Sequence, residues 1–203
     1  MADFLRSDSL VFIPHQQVTR PGSVIGSEVA FATRLSLQIV CYHAPVDAVA
    51  NTEPGNFLIQ SNPSAAPDNQ DWATVARFAA DTGLPQSEPI GAVVNPGDTL
   101  IPVTDTTGFT AGDPVYIRDF SVVTDGEWGR IRRVQTGLNM TMTDGVANAH
   151  DTLDTIFTQA EAFVFEAQLY VPSRWRVIFE YESSAGPSDV HIKATGVTID
   201  SFQ

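Results

Sequence analysis

Apolar residues recur at every second position along much of this chain, and that period restricts it to β-structure. Leu35, Leu37, Ile39 and Cys41 would share one strand face. So would Phe163, Phe165, Ala167, Leu169 and Val171, with Glu166 and Gln168 opposite. Trp175, Val177, Phe179 and Tyr181 alternate with Arg176, Ile178, Glu180 and Glu182. Val190, Ile192 and Ala194 alternate with His191, Lys193 and Thr195. Joined by Gly-, Pro-, Asn- and Asp-rich stretches such as 61–70 and 183–189, such strands predict antiparallel sheets with one face buried and one in water. Residues 71–80 fit a helix through Trp72, Val75 and Ala79 or a strand through Trp72, Thr74, Ala76 and Phe78. The strand is favoured.

Between residues 86 and 160 the texture changes to short apolar runs cut by turns such as Pro96-Gly97-Asp98 and Ala111-Gly112-Asp113. The prediction is therefore an all-β chain. An antiparallel, jelly-roll-like β-sandwich is assembled from residues 1–85 and 161–203, and a small β-barrel or meander is inserted over 86–160. A chain of 203 residues buries roughly 70% of its unfolded surface, so neither a disulfide nor a metal is needed to hold it.

Charge narrows the function classes. Asp and Glu number 24 against 11 Lys and Arg, a net charge of −13. Phosphate neutralisation needs a basic surface, so nucleic acid is not an expected partner, and an anionic membrane repels such a chain. No apolar run approaches the ~20 residues of a membrane-spanning helix, and the first residues lack the order of a signal peptide. The one exception to the acidic character is Arg130-Ile131-Arg132-Arg133. At period 2, Arg130 and Arg132 share a face with Val134, while Ile131 and Arg133 share the other. These arginines either pair with Asp119, Asp125 or Glu127, or dock on an acidic neighbour.

Few residues suggest catalysis. His15, His43, His150 and His191 are far apart in sequence, so no histidine metal site is expected. Cys41 falls among core positions and reads as a small buried hydrophobe. Glu180 and Glu182 would lie ~7 Å apart on one strand face, which is more simply a solvated face than a glycosidase pair. Asp105, Asp113, Asp119 and Asp125 sit in turns, where Asp belongs for local reasons, although their oxygens could also hold calcium. No nucleophile elbow, phosphate-binding loop or His-Glu-x-x-His is present. No enzyme activity and no cofactor are expected.

Two stretches carry a resemblance. Thr106-Thr-Gly-Phe-Thr-Ala-Gly-Asp-Pro-Val-Tyr-Ile117, followed by Glu127-Trp-Gly-Arg-Ile-Arg-Arg-Val134, Leu138 and Ala149-His150, resembles a small β-module of tailed-bacteriophage structural proteins. Trp128 and the Arg132-Arg133 pair lengthen the Glu-to-Val segment beyond the module's commonest form. Phe57 to Ser61, Asp71-Trp-Ala-Thr-Val75 and Phe78, with Ser173 to Phe179, resemble jelly-roll sandwiches similar to galactose-binding domains. Such domains occur in phage tail and capsid-associated proteins and in secreted carbohydrate-binding modules.

Together the resemblances imply a non-enzymatic virion component, assembled in the host cytoplasm, that decorates the capsid or associates with the head and clamps neighbouring subunits. A tail or baseplate component is the nearest alternative. Its partners would be other virion proteins and copies of itself, a trimer included. Phe12, Ile13 and Phe202 are the apolar candidates for contact, taken as exposed near the chain ends, with Arg130, Arg132 and Arg133 as the charged ones. A carbohydrate-binding sandwich is the reading from another class, with Trp128 as a stacking platform.

Overall fold

Among the described residues, fifteen strands form three antiparallel sheets, and the one helical element is the single 3-10 turn Val123–Asp125. The computed structural model describes residues 7–19, 22–31, 35–46, 55–63, 71–80, 85–169, 173–181 and 189–200. A front sheet has the order β1 (Ser7–Thr19), β15 (Asp189–Asp200), β4 (Leu35–Pro45), β13 (Glu161–Leu169). A back sheet has the order β2 (Gly22–Ile25), β14 (Ser173–Tyr181), β5 (Asn56–Asn62), β6 (Ala73–Ala79), with β3 (Val29–Phe31) also beside β14. The third sheet runs β7 (Ser87–Pro89), β12 (Thr155–Phe157), β9 (Pro114–Arg118), β10 (Glu127–Gln135), β11 (Asn139–Met142), β8 (Leu100–Pro102). All its strands come from residues 87–157, and we refer to it as the module.

The chain is thus all-β, with front and back sheets packed as a sandwich. Leu37, Ile39, Cys41, Leu169, Trp175, Val177 and Phe179 lie in one buried cluster between them, and Phe165 packs at its margin. Period 2 predicts this set, except that the side chain of Leu35 lies outside the described residues. Residues 73–79 form a strand, as favoured, with Ala76 and Phe78 packed against the same core. Burial pushes the Cys41 thiol up to about 12. Native protein will therefore leave Cys41 unlabelled by a thiol reagent at neutral pH, since the thiolate is the nucleophile. Labelling should appear only with unfolding; immediate reaction would contradict the placement.

Phe12 and Ile13 correct the sequence reading. Taken as exposed tail residues, both are fully buried in the sandwich core. Strand β1 pairs with β15 from Ser7 to Thr19, but its register shifts between Val11 and Ile13 and again between Ile13 and Gln16. A β-bulge inserts one residue and breaks the strict alternation of faces, so two consecutive side chains turn inward. Gly196 makes the room: a Cβ there would sit 2.7 Å from Phe12 Cε2. Residues 7–14 are thus an integral strand, not an arm for a neighbour. Phe202 lies outside the described residues.

The module explains its own motif. Gly108 and Gly112 adopt φ of 85° and 98°, a region that glycine enters freely. Between them Phe109 enters the module core with Val115, Ile117 and Ile131. The Asp113 carboxylate accepts the Thr110 N–H at 2.8 Å.

Candidate functional site

The arginine run lies on β10, which pairs with β9 from Glu127 to Arg130 and with β11 from Ile131 to Gln135. Ile131 faces Met142 and Arg133 faces Thr141, so two residues of β10 span one of β11, and Arg132 is the extra one. This bulge overturns the simple alternation. Ile131 is buried and Val134 packs against the module core, while Arg130, Arg132 and Arg133 are all exposed. Arg130 donates through Nη1 to the Gly112 carbonyl at 2.7 Å.

The acids that could neutralise these arginines are engaged elsewhere. Glu127 bonds His150, and Asp119 accepts the Ser121 and Val122 N–H groups. The Asp125 carboxylate takes the Thr124 hydroxyl at 3.3 Å. Among the described residues, no carboxylate forms an ion pair with any of the three guanidinium groups.

Trp128, from the same strand, fastens the module to the outer face of the front sheet. Its Nε1–H donates to the His43 carbonyl at 3.2 Å, and its ring lies 4.9, 5.4 and 4.6 Å from those of His15, Tyr42 and Tyr116. The indole is half-buried and its polar edge is occupied, so Trp128 is a joint residue between the module and the front sheet. The other tryptophans are covered too. Trp175 is in the core, and the Arg176 guanidinium lies 4.2 Å from the centre of the Trp72 ring.

Beside Trp128, the Tyr116 hydroxyl is 2.8 Å from His191 Nδ1 and 3.0 Å from His15 Nε2. His15 Nδ1 lies 3.2 Å from the Thr124 carbonyl and so donates to it. One proton arrangement satisfies every N–H. His191 Nδ1–H donates to Tyr116, whose O–H donates to His15 Nε2. His191 Nε2 then remains a buried acceptor with no hydrogen-bond partner. Burial, followed by the charges of His15 and Arg118, pushes His191 down to about 3. Burial likewise lowers His15 and raises Tyr116. The joint is therefore neutral at physiological pH. Tyr116 and His191 are fully buried and His15 is half-buried, and the cluster holds the module in place.

A second buried group staples the module internally. His150 lies between Glu127 Oε1 at 2.8 Å and Asp154 Oδ2 at 2.9 Å. Glu127 also accepts from the Ala147 and Asn148 N–H groups, and Asp154 from those of Phe120 and Asp151. Burial opposes a charge on His150, but the hydrogen bonds and charges of Glu127 and Asp154 outweigh it and raise its pKa. Asp119, His150 and Asp154 lie close enough to suggest a metal centre. Both imidazole nitrogens already lie against carboxylates, Nδ1 against Asp154 and Nε2 against Glu127. The turn aspartates serve their own loops: Asp105 accepts the Thr107 N–H as Asp113 accepts that of Thr110.

Sequence reasoning singled out the arginines and Trp128, but missed both histidine clusters. The Ala149-His150 motif was visible, whereas its ion-pair role needs Glu127, which lies 23 residues away. Glu182, the second acid of the Glu180 pair, lies outside the described residues.

No protein-family model and no curated protein matches the sequence. Among solved structures, the chain is similar to that of infectious bursal disease virus Gt strain, with 10% identity, 97% of this chain and 42% of that chain covered, and a TM-score of 0.27. It is similar to the VP2 subviral particle of the same virus, at 8% identity, 98% and 42% coverage, and a TM-score of 0.26. It is also similar to VP17, a capsid protein of bacteriophage P23-77, at 10% identity, 96% and 100% coverage, and a TM-score of 0.18. The chain spans 42% of the length of those bursal disease virus chains. TM-scores this low carry no argument about what the chain does.

Proposed function

We propose that this chain is a non-enzymatic structural component of a phage virion, a capsid-decorating or head-associated protein that clamps neighbouring subunits. The observation that carries the reading is a cluster of three exposed arginines, Arg132 and Arg133 turned outward together by the bulge and Arg130 beside them, that form no ion pair with a described carboxylate on a chain of net charge −13. Packing here rests on Ile131 and Val134; Arg132 and Arg133 contribute little to the fold, and Arg130 contributes one hydrogen bond, to the Gly112 carbonyl. The chemistry of the three arginines suits the carboxylates of an acidic neighbour, because guanidinium forks recognise carboxylates and arginine is enriched at interfaces. The Trp128 and Tyr116 contacts fix the orientation of this face relative to the front sheet, as a clamp requires. The resemblance of the module to tailed-phage structural proteins supplies the class of partner.

The test is occupancy of particles by a variant carrying Arg130→Glu, Arg132→Glu and Arg133→Glu. Each exposed pair is worth ~0.2–1 kcal/mol, so reversing all three should weaken attachment about tenfold or more. Its thermal unfolding should stay close to that of the parent, lower only by the Arg130 hydrogen bond to the Gly112 carbonyl, worth about 0.5–1.5 kcal/mol. High salt should loosen the parent as well, since the Debye length shrinks from ~10 Å at 0.1 M to ~3 Å at 1 M. A folded variant that still occupies particles normally would refute the assignment.

A further inference from the structure

Sheet edges are exposed templates for pairing, and proteins blunt them with prolines, bulges, cations or brevity. In this chain nearly every edge is treated so. Strand β1 carries Pro14 and two register shifts. Strands β2 and β3 have four and three residues. Strands β7 and β8 have three residues each and contain Pro89 and Pro102. Strand β6 carries Arg77 and a register shift against β5 at Val75.

Strand β13 is the exception among the described residues. Its nine residues pair with β4 without a shift, from Glu161↔His43 to Leu169↔Leu35, and include no Pro, Lys or Arg. No described strand pairs with its other edge. Its inward Phe163, Phe165 and Ala167 are only partly buried, and Val164 on the outer face is 52% exposed.

We propose that β13 pairs with β13 of a second copy of this chain, antiparallel about a two-fold axis at Phe165, joining two front sheets into one continuous sheet. The strand's own charges select this occupant and register. Centred on Phe165, all nine residues are used, inward residues meet inward residues, Glu161 faces Leu169, and Glu166 faces Val164. No carboxylate meets a carboxylate. Moving the axis to Glu166 would oppose the two Glu166 side chains, and a slip of one residue would set inward against outward faces. A cleft of about 430 Å³ lined by Trp128, Arg130, Glu161 and Phe163 leaves room at the start of β13 for the end of the incoming strand. Arg132 and Arg133 do not line that cleft, so the pairing does not use them, and it predicts a two-fold contact where the sequence left a trimer among the options.

Light scattering on the purified full chain tests it, with no other virion protein present. The parent should have the mass of a dimer. Val164→Glu places a carboxylate opposite Glu166 twice per dimer and should raise the dissociation constant about tenfold or more. Val164→Lys places an ammonium there and should leave the dimer intact or tighten it. Val75→Glu, on the β6 edge, should change nothing, and each variant's folding is checked by its unfolding midpoint. A parent that is monomeric at its highest soluble concentration would overturn the proposal. So would a dimer or trimer indifferent to Val164→Glu, or a dimer that Val164→Lys disrupts as much as Val164→Glu. A variant carrying only Arg132→Glu and Arg133→Glu should keep the dimer, so failure of one proposal is distinguishable from failure of the other.

Discussion

Phe12→Ala is expected to destabilise the folded chain by about 3–5 kcal/mol, the range for emptying a buried aromatic site. The ring is fully buried, lies against Gly196 where no Cβ fits, and shares the core with Ile13, Val177 and Phe179. The backbone holds it as firmly, because the Phe12 carbonyl accepts the Ser27 N–H at 2.7 Å. The neighbouring Val11 supplies the control. It lies on the outer face and is 55% exposed, so Val11→Ala should change stability by no more than about 0.5 kcal/mol. Denaturant unfolding of the two variants reads the difference directly. Equal midpoints would show that β1 is a detachable arm after all. Removal of residues 1–14 should on the same grounds unfold the sandwich, because it deletes most of a strand along with the two core side chains.

His150→Ala should cost a similar amount, about 3–5 kcal/mol, because removing one partner leaves buried carboxylates uncompensated. The pH dependence identifies the cause. His150 has its pKa raised above 6.5 in the folded state, so its contribution is complete below 6.5 and disappears as the pH rises through the folded value. For Glu127, burial opposes the charge, but the His150, Ala147 and Asn148 hydrogen bonds outweigh it and hold the carboxyl below its ordinary 4.5. Its contribution is complete above 4.5 and is lost as the pH falls through the folded value. Both are in place between pH 4.5 and 6.5. The stability difference between parent and His150→Ala should therefore be largest in that window and shrink on the alkaline side. A difference flat with pH would mean that His150 is not charged.

The joint opposes this trend. His191 must stay neutral, with its pKa pushed down from 6.5 to about 3, so its contribution is complete above 6.5 and declines as the pH falls from 6.5 toward about 3. The parent chain should accordingly lose stability in acid even where the His150 staple is intact.

The sequence by itself determined the all-β class and most of the sandwich core, because side chains alternate by covalent geometry wherever a strand keeps its register. Leu37, Ile39, Cys41, Val177 and Phe179 were legible for that reason. The arginine run and the Gly-Phe-x-x-Gly-Asp turn were legible as well, since each is a local pattern. Tertiary structure decided the rest by two physical routes. Bulges at Phe12, Val75 and Arg132 change the face of every residue beyond them, and a bulge is set by pairing with a partner strand, so period 2 could not reveal it. Contacts between distant segments also made environments that no local pattern encodes. The module covers one end of the front sheet's outer face, so His191, on the outward side of its strand, ends fully buried against Tyr116, which is 75 residues away. The pKa of His150 is raised because Glu127 and Asp154 close around it. Whether a histidine is neutral or charged depends on desolvation against neighbouring charge, and both are properties of the assembled fold.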